Sequence, residues 1–464
     1  MLRTAPCFLL AVCLLVSPAR ARLSPQQLDA VKGWIATDAA ERPDIETLNL
    51  PDGLTREEAQ EVTEQVWSLI KEAHPVGQSP LGPLPKTVQE SKQNGKLDVE
   101  ASVLPLGEHN MPYVTLRREQ QTLDAGRPLF LCLHGGGQNG KAKGPHSWPI
   151  NSREMQAQIQ LSLGVYPSEG IYWIPRMADD RLGRWWHYHN QQAIDQVIDH
   201  AIMHWGVDPN RVYLLGISEG GYGTDILTPF MADRFAGGCA MAAGVGLGNP
   251  PANLRNVAFR TDVGAQDNMF DRKGLAVAFH EELDKLHEAD PEGYTHSINV
   301  QKGRGHGINY ALGPKWMAEH TRTPFPAKVV WVDKPLHKHR RDRFYWVQFN
   351  DSQREGLNRV VGQADRDAGK IALAAEQLSP ETKDVHPTHL SEMATDAKPL
   401  SGTSLTLLLS DELVNLDQTI EIEVNGQATG SVTPSRSAAD IVASLAERPD
   451  PTMAATCRVE IEVP

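Results

Sequence analysis

Apolar positions recur along this chain at two different spacings. Ala59, Val62, Val66, Leu69 and Ile70 fall at the 3.6-residue rhythm of an amphipathic helix. Thr55 and Glu58 supply a capping box at its start. An earlier helix opens at Ser24, with Pro25 suited to its first position, Gln27 completing the box, and Leu23 and Leu28 placed as a hydrophobic staple. Residues 78–85, rich in Pro and Gly, read as a linker. Residues 22–100 thus form an N-terminal helical segment whose role is packing or capping a site.

From about Val103 the pattern changes. Short apolar runs at 127–133, 170–175, 212–215, 237–243, 257–263 and 297–301 read as strands. Helical patterns lie between them, with Ile194, Val197, Ile198, Ala201, Ile202 and Trp205 marking one and residues 273–287 another. Continuous apolar strands alternating with helices predict an α/β domain over 101–322, a doubly wound, mostly parallel sheet covered on both faces. Near Thr323 the chain becomes strand-rich again. Asn425-Gly426 is a hairpin signal, 437–446 reads as one helix, and 458–463 alternates as a last strand. Residues 323–464 are expected to form a separate β-rich domain, a sandwich, with 378–400 as a loop.

Composition sets bounds. The 464 residues suffice for two to four domains, and 40% apolar with 22% charged residues is ordinary for a globular core. A net charge of −13 disfavours nucleic-acid and anionic-membrane partners. Arg3, an apolar run and Ala19-Arg20-Ala21 read as a signal peptide over 1–21, cut after Ala21, so the mature protein is expected to be secreted or periplasmic. The apolar run is too short to span a bilayer comfortably. Five cysteines, two of them in that leader, leave Cys132, Cys239 and Cys457 and no disulfide framework.

The chemistry is concentrated in a few loops. Gly216-Ile217-Ser218-Glu219-Gly220 is a G-x-S-x-G between a strand and a helix, the setting of a nucleophile elbow. His134-Gly135-Gly136-Gly137 follows the strand at 127–133, where backbone amides can approach a developing oxyanion. Gly136, Gly137 and the amide of Glu219 are the candidate oxyanion donors. In a doubly wound hydrolase sheet the acid and then the histidine follow the serine. Asp267 lies in the first turn after its strand and fits best as the acid; Asp262, within the strand, and Asp271, at the next helix start, are the alternatives. His306, flanked by Gly305 and Gly307 after the following strand, is the candidate base.

These motifs, with Asp208-Pro209-Asn210-Arg211-Val212-Tyr213 before the elbow, resemble the α/β-hydrolase superfamily. Within it they are most similar to secreted esterases of the polyhydroxybutyrate-depolymerase and feruloyl-esterase group, with dienelactone-hydrolase-like proteins as neighbours. The likeness covers about 103–322. It implies a Ser218–Asp267–His306 triad acting on carboxylic esters, small or polymeric, without a cofactor. Many relatives carry Met, Ala or Gln where this chain has Glu219. A serine peptidase on the same fold is the runner-up. A non-catalytic scaffold is disfavoured because all three triad residues are present in order.

Trp185, Trp186 and Tyr222 are candidates for contacting substrate, with packing under the loop as the alternative. His187-x-His189 and His337-x-His339 lack a third ligand for a metal. The basic run 337–343 reads as a solvated face or as local ion-pair partners. Tyr345 and Trp346 beside it read as core, with polymer binding by the C-terminal domain as the alternative.

Overall fold

The computed structural model describes residues 23–464 apart from 94–95, 98–100, 120–125, 167–168, 247–248 and 387–388; the expected leader lies outside the described residues. Helices α1 (Pro25–Ala36) and α2 (Arg56–Ala73) both start with a reciprocal capping box, Ser24 with Gln27 and Thr55 with Glu58. Those bonds satisfy amides that a first helical turn leaves unpaired. The stripe Val62, Val66, Leu69 and Ile70 of α2 packs with Ile441, Val442 and Leu445 near the C-terminus. Of the two roles open to the N-terminal helices, these contacts serve packing. A short antiparallel pair, β1 (Lys92–Gln93) with β2 (Lys96–Leu97), closes the segment.

Eight strands then build one sheet: β3 (Ser102–Leu106), β4 (His109–Arg118), β5 (Arg127–Leu133), β6 (Gly170–Pro175), β7 (Val207–Ile217), β8 (Gly237–Met241), β9 (Ala258–Gly264) and β10 (His296–Gln301). Their order is β3-β4-β6-β5-β7-β8-β9-β10. The strands from β6 to β10 in that order are parallel, and β3 and β4 form an antiparallel edge. Crossovers run through α3 (Pro149–Gly164), α4 (Tyr188–His204), α5 (Glu219–Phe230) and α6 (Arg272–Ala289), and α7 (Leu312–Met317) follows β10.

The strand period of two divides the core cleanly. Leu129, Leu131, Leu133, Val212 and Leu214 share a cluster with Ile194, Val197 and Phe279 from α4 and α6. Their immediate neighbours Phe130, Cys132, Tyr213 and Leu215 share another with Met155, Ile159 and Met317 from α3 and α7. Both faces are covered, which is why these strands read as unbroken apolar runs. Each such side chain contributes roughly 1.5–3 kcal/mol on burial, so the sheet is a rigid base for the loops at its strand ends.

The C-terminal part forms two further sheets. One joins β11 (Lys328–Asp333), β14 (Leu357–Asp365), β15 (Lys370–His386), β18 (Ile420–Val424) and β19 (Gln427–Val432), with β16 (His389–Pro399) on β15; the other joins β12 (Arg343–Phe344), β13 (Val347–Phe349), β17 (Thr403–Leu409) and β20 (Cys457–Val463). Helix α8 (Ala438–Glu447) carries the residues that meet α2. Asn425 and Gly426 take φ of 51° and 75°, as the hairpin signal requires. Trp331, Trp346 and Leu407 join Phe259 and Phe279 in one cluster, so the core runs unbroken from the large sheet into these strands.

One expectation is corrected here. Residues 378–400 are mostly strand, not loop: β15 and β16 pair antiparallel from Glu376 with Pro399 out to His386 with His389, with register shifts at Ser379/Pro380 and Asp384/His386. An antiparallel ladder satisfies its own backbone groups and needs no apolar signature to do so. Tyr345 and Trp346 are fully buried, which agrees with their reading as core residues.

Candidate active site

Strand β7 ends at Ile217 and α5 begins at Glu219, which leaves Ser218 alone in the turn. Its backbone sits at φ 57°, ψ −113°. Such a conformation costs a non-glycine residue about 1–3 kcal/mol, so the surroundings must impose it. The flanking glycines show how. A Cβ on Gly216 would fall 2.1 Å from the carbonyl oxygen of Gly220, and one on Gly220 would fall 2.1 Å from that of Leu133. The Ser218 amide is anchored on the carbonyl of Met241 at 2.9 Å.

His306 Nε2 lies 3.0 Å from Ser218 Oγ, and its Nδ1 lies 2.6 Å from Asp267 Oδ2. Asp267 follows β9 and His306 follows the adjacent parallel strand β10, so the sheet itself brings the two loops together. The Asp267 side chain is buried and the His306 ring about half exposed. The second carboxylate oxygen of Asp267 accepts from Arg272 Nη1 at 3.0 Å, and Arg272 Nε donates to the Tyr222 hydroxyl at 2.8 Å. Burial pushes the Tyr222 phenol up to about 12, so it stays protonated.

The other two acids are engaged elsewhere. Asp262 is buried in β9, bound by Arg260 at 2.7 and 3.1 Å and by Asn299 at 2.6 Å. Asp271 is the left-handed residue that precedes α6.

The loop after β5 is organised by polar groups that the sequence pattern did not single out. His134 is fully buried; its Nδ1 donates to the Gly135 carbonyl and its Nε2 accepts from the Met177 amide. Burial pushes His134 down to about 4, so the imidazole is neutral. Asn151 clamps the glycines, accepting from the Gly137 amide at 3.0 Å while donating to the Gly137 carbonyl at 2.9 Å and to Asp180 at 2.8 Å. The expectation for Gly137 is thereby corrected: its N–H is committed to Asn151 and does not face an oxyanion. Gly136 and Glu219 remain as candidate donors.

Glu219 brings a charge to this position. Its carboxylate is buried beside Gly137 and pairs with Arg184 at 2.6 Å. Burial raises it to about 7 against the opposing pull of Arg184. Its Oε1 is buried and has no hydrogen-bond partner among the described residues.

Trp185 is corrected as a substrate contact. It is 1% exposed, donates to the His134 carbonyl at 3.0 Å, and fills the space that a Cβ on Gly223 would need. Trp186 is half-buried and packs with Leu336 against Tyr222 and Ile226. Met269 and Phe270 are the exposed apolar residues beside Asp267. The four histidines noted in the sequence lie near one another, His187 stacking on His337 at 4.2 Å. Among the described residues, no group of three or more His, Cys, Asp or Glu is arranged to hold a metal ion.

A serine elbow after a central parallel strand, with an acid and a histidine after the next strands but one and two, decides the architecture. The fold is the α/β-hydrolase fold. No protein-family model matches this chain, and no curated protein matches it. Solved structures similar to this hydrolase fold include a thermostable esterase, at 18% identity and a TM-score of 0.36 over 48% of this chain and 63% of that one. This chain therefore covers less than two thirds of that esterase. Others are the poly(3-hydroxybutyrate) depolymerase of Bordetella parapertussis, at 14% identity and 0.34 over 48% and 87%, and a ferulic acid esterase of the anaerobic fungus Anaeromyces mucronatus, at 15% and 0.30 over 51% and 94%.

Proposed function

We propose that this protein is a secreted serine hydrolase that cleaves carboxylic esters. The observation that carries the reading is the unbroken chain Ser218 Oγ, His306, Asp267, Arg272, each link at 2.6–3.0 Å. His306 Nε2 takes the Ser218 proton as Oγ attacks the ester carbonyl. Asp267 holds Nδ1–H and stabilises the imidazolium. The amides of Glu219 and Gly136 receive the oxyanion, and fixed dipoles aimed there supply the largest share of the rate. The imidazolium then protonates the departing alcohol, and water activated by His306 releases the acid.

The substrate is an ester carried on an aryl group or a polymer, met by Trp186 and Leu336 on one side and by Phe270 on the acid loop. The leader read in residues 1–21 directs the enzyme out of the cytoplasm. Among the described residues, no helix is long and apolar enough to cross a membrane. A substrate panel tests the reading: 4-nitrophenyl acetate, methyl ferulate and hydroxybutyrate oligomers against peptide anilides. Turnover of esters well above anilides is expected. Anilide turnover equal to or above ester turnover would make the protein a peptidase instead.

A further inference from the structure

A cavity of about 550 Å³ lies between α4 and the C-terminal part of the chain, and none of the Ser218 site residues lines it. Its wall holds five guanidinium groups, Arg234, Arg340, Arg341, Arg343 and Arg448. Four of them have carboxylates: Arg234 pairs with Asp195 and Asp199, Arg340 with Asp333, Arg341 with Asp195, and Arg448 with Asp233. The other lining carboxylates are also paired, Asp342 with Arg354 and Glu447 with Arg458.

Arg343 is the exception. Its side chain is buried, and among the described residues no carboxylate lies within ion-pair distance. Nε donates to the Tyr345 carbonyl at 3.1 Å and Nη2 to the Met453 carbonyl at 3.0 Å, while Nη1 is buried and has no hydrogen-bond partner among the described residues. Burial and then the nearby Arg448 push this guanidinium down to about 9, against the weaker pull of Glu447, Asp233 and Asp450, none of which lies within ion-pair distance of it. A buried unpaired charge is costly, and a bound anion removes the cost.

The rest of the lining says what else the anion carries. Gln192, Gln196 and Gln348 present amides, Asp199 a carboxylate, and the half-exposed Tyr188 an aromatic rim. Amides and carboxylates suit hydroxyl groups, which donate and accept at once. The volume suits a ligand of monosaccharide to disaccharide size.

We propose that this cavity binds a sugar acid, its single carboxylate paired with Arg343 and its hydroxyls held by Gln192, Gln196 and Gln348. The site is separate from Ser218 and holds whether or not the hydrolase reading does.

Calorimetric titration of the full chain at constant ionic strength, with glucuronate, glucose, acetate and inorganic phosphate, tests it. Glucuronate is expected to bind at least about tenfold tighter than any of the other three, because each 1.4 kcal/mol of added contact is tenfold. Arg343→Met should abolish binding without lowering Tm in the absence of ligand, since it removes an uncompensated charge. The surface pair Gln192→Ala with Gln196→Ala should weaken glucuronate and leave acetate unchanged. Equal binding of glucose, or of acetate or phosphate, would overturn the proposal, as would glucuronate binding that survives in folded Arg343→Met. Loss of Tm in Arg343→Met together with undiminished binding in the glutamine pair would assign Arg343 a purely structural role.

Discussion

Arg272 and His306 divide one buried carboxylate between them: Arg272 Nη1 holds Asp267 Oδ1 at 3.0 Å, and His306 Nδ1 holds Oδ2 at 2.6 Å. The guanidinium fixes the carboxylate's orientation and also sets a permanent cation near the imidazole. Arg272→Met is expected to lower kcat by about tenfold, a cost of about 1.4 kcal/mol. Arg272→Lys, which keeps a donor for Oδ1, should recover part of the loss. No recovery with lysine would mean that Arg272 acts only through packing.

Glu219, next in sequence to Ser218, makes a second pair with Arg184, its carboxylate lying against Gly137. A bare carboxylate there opposes an oxyanion, and Arg184 offsets it. Arg184→Met should therefore lose activity as pH rises and Glu219 ionises, by roughly tenfold at the alkaline end. Glu219→Gln in the same background should restore it. A double variant no better than the single would show that charge is not the reason for the pairing.

How much of this was legible beforehand differs from element to element. Gly216, Gly220, Asp267 and His306 stand out in the sequence because backbone sterics and strand order leave few residue types and few places for them. The parallel sheet was legible because burial on both faces leaves apolar runs at 127–133 and 212–215. Arg272, Arg184 and Asn151 were not, because each works through a partner distant in sequence and has no local pattern. The ladder of β15 with β16 was hidden by its polar composition. The commitment of the Gly137 amide depends on an Asn151 rotamer, which no motif encodes.

Buried histidines make stability depend on pH. His280 is 2% exposed, bonded to Thr261, and pushed down to about 3 by burial and by His296 and Arg260. Its folded pKa lies below its unfolded value near 6.5, so the unfolded chain binds the extra proton as pH falls. The folded state is therefore disfavoured progressively from pH 6.5 towards 3, and unaffected above that window. In thermal melts His280→Gln is expected to lose less Tm than wild type between pH 7 and 4. Parallel Tm–pH curves would show that His280 titrates alike in both states.

The elbow tolerates no side chain at Gly220, where a Cβ would meet the Leu133 carbonyl oxygen at 2.1 Å. Gly220→Ala should destabilise the protein by about 2–4 kcal/mol, in the range of severe steric substitutions. Urea denaturation measures it. A change under about 0.5 kcal/mol, the scale of a neutral surface substitution, would mean that the turn can relax.

The central claim is that Ser218 is an activated nucleophile. Its most direct test is labelling of the purified chain with a fluorophosphonate, with the modified peptide located by mass spectrometry. Labelling at Ser218 is expected, abolished in Ser218→Ala and reduced by several orders of magnitude in His306→Ala, because members of such a unit fail together. A folded wild-type protein that stays unlabelled, or takes the label at another serine, would contradict the account.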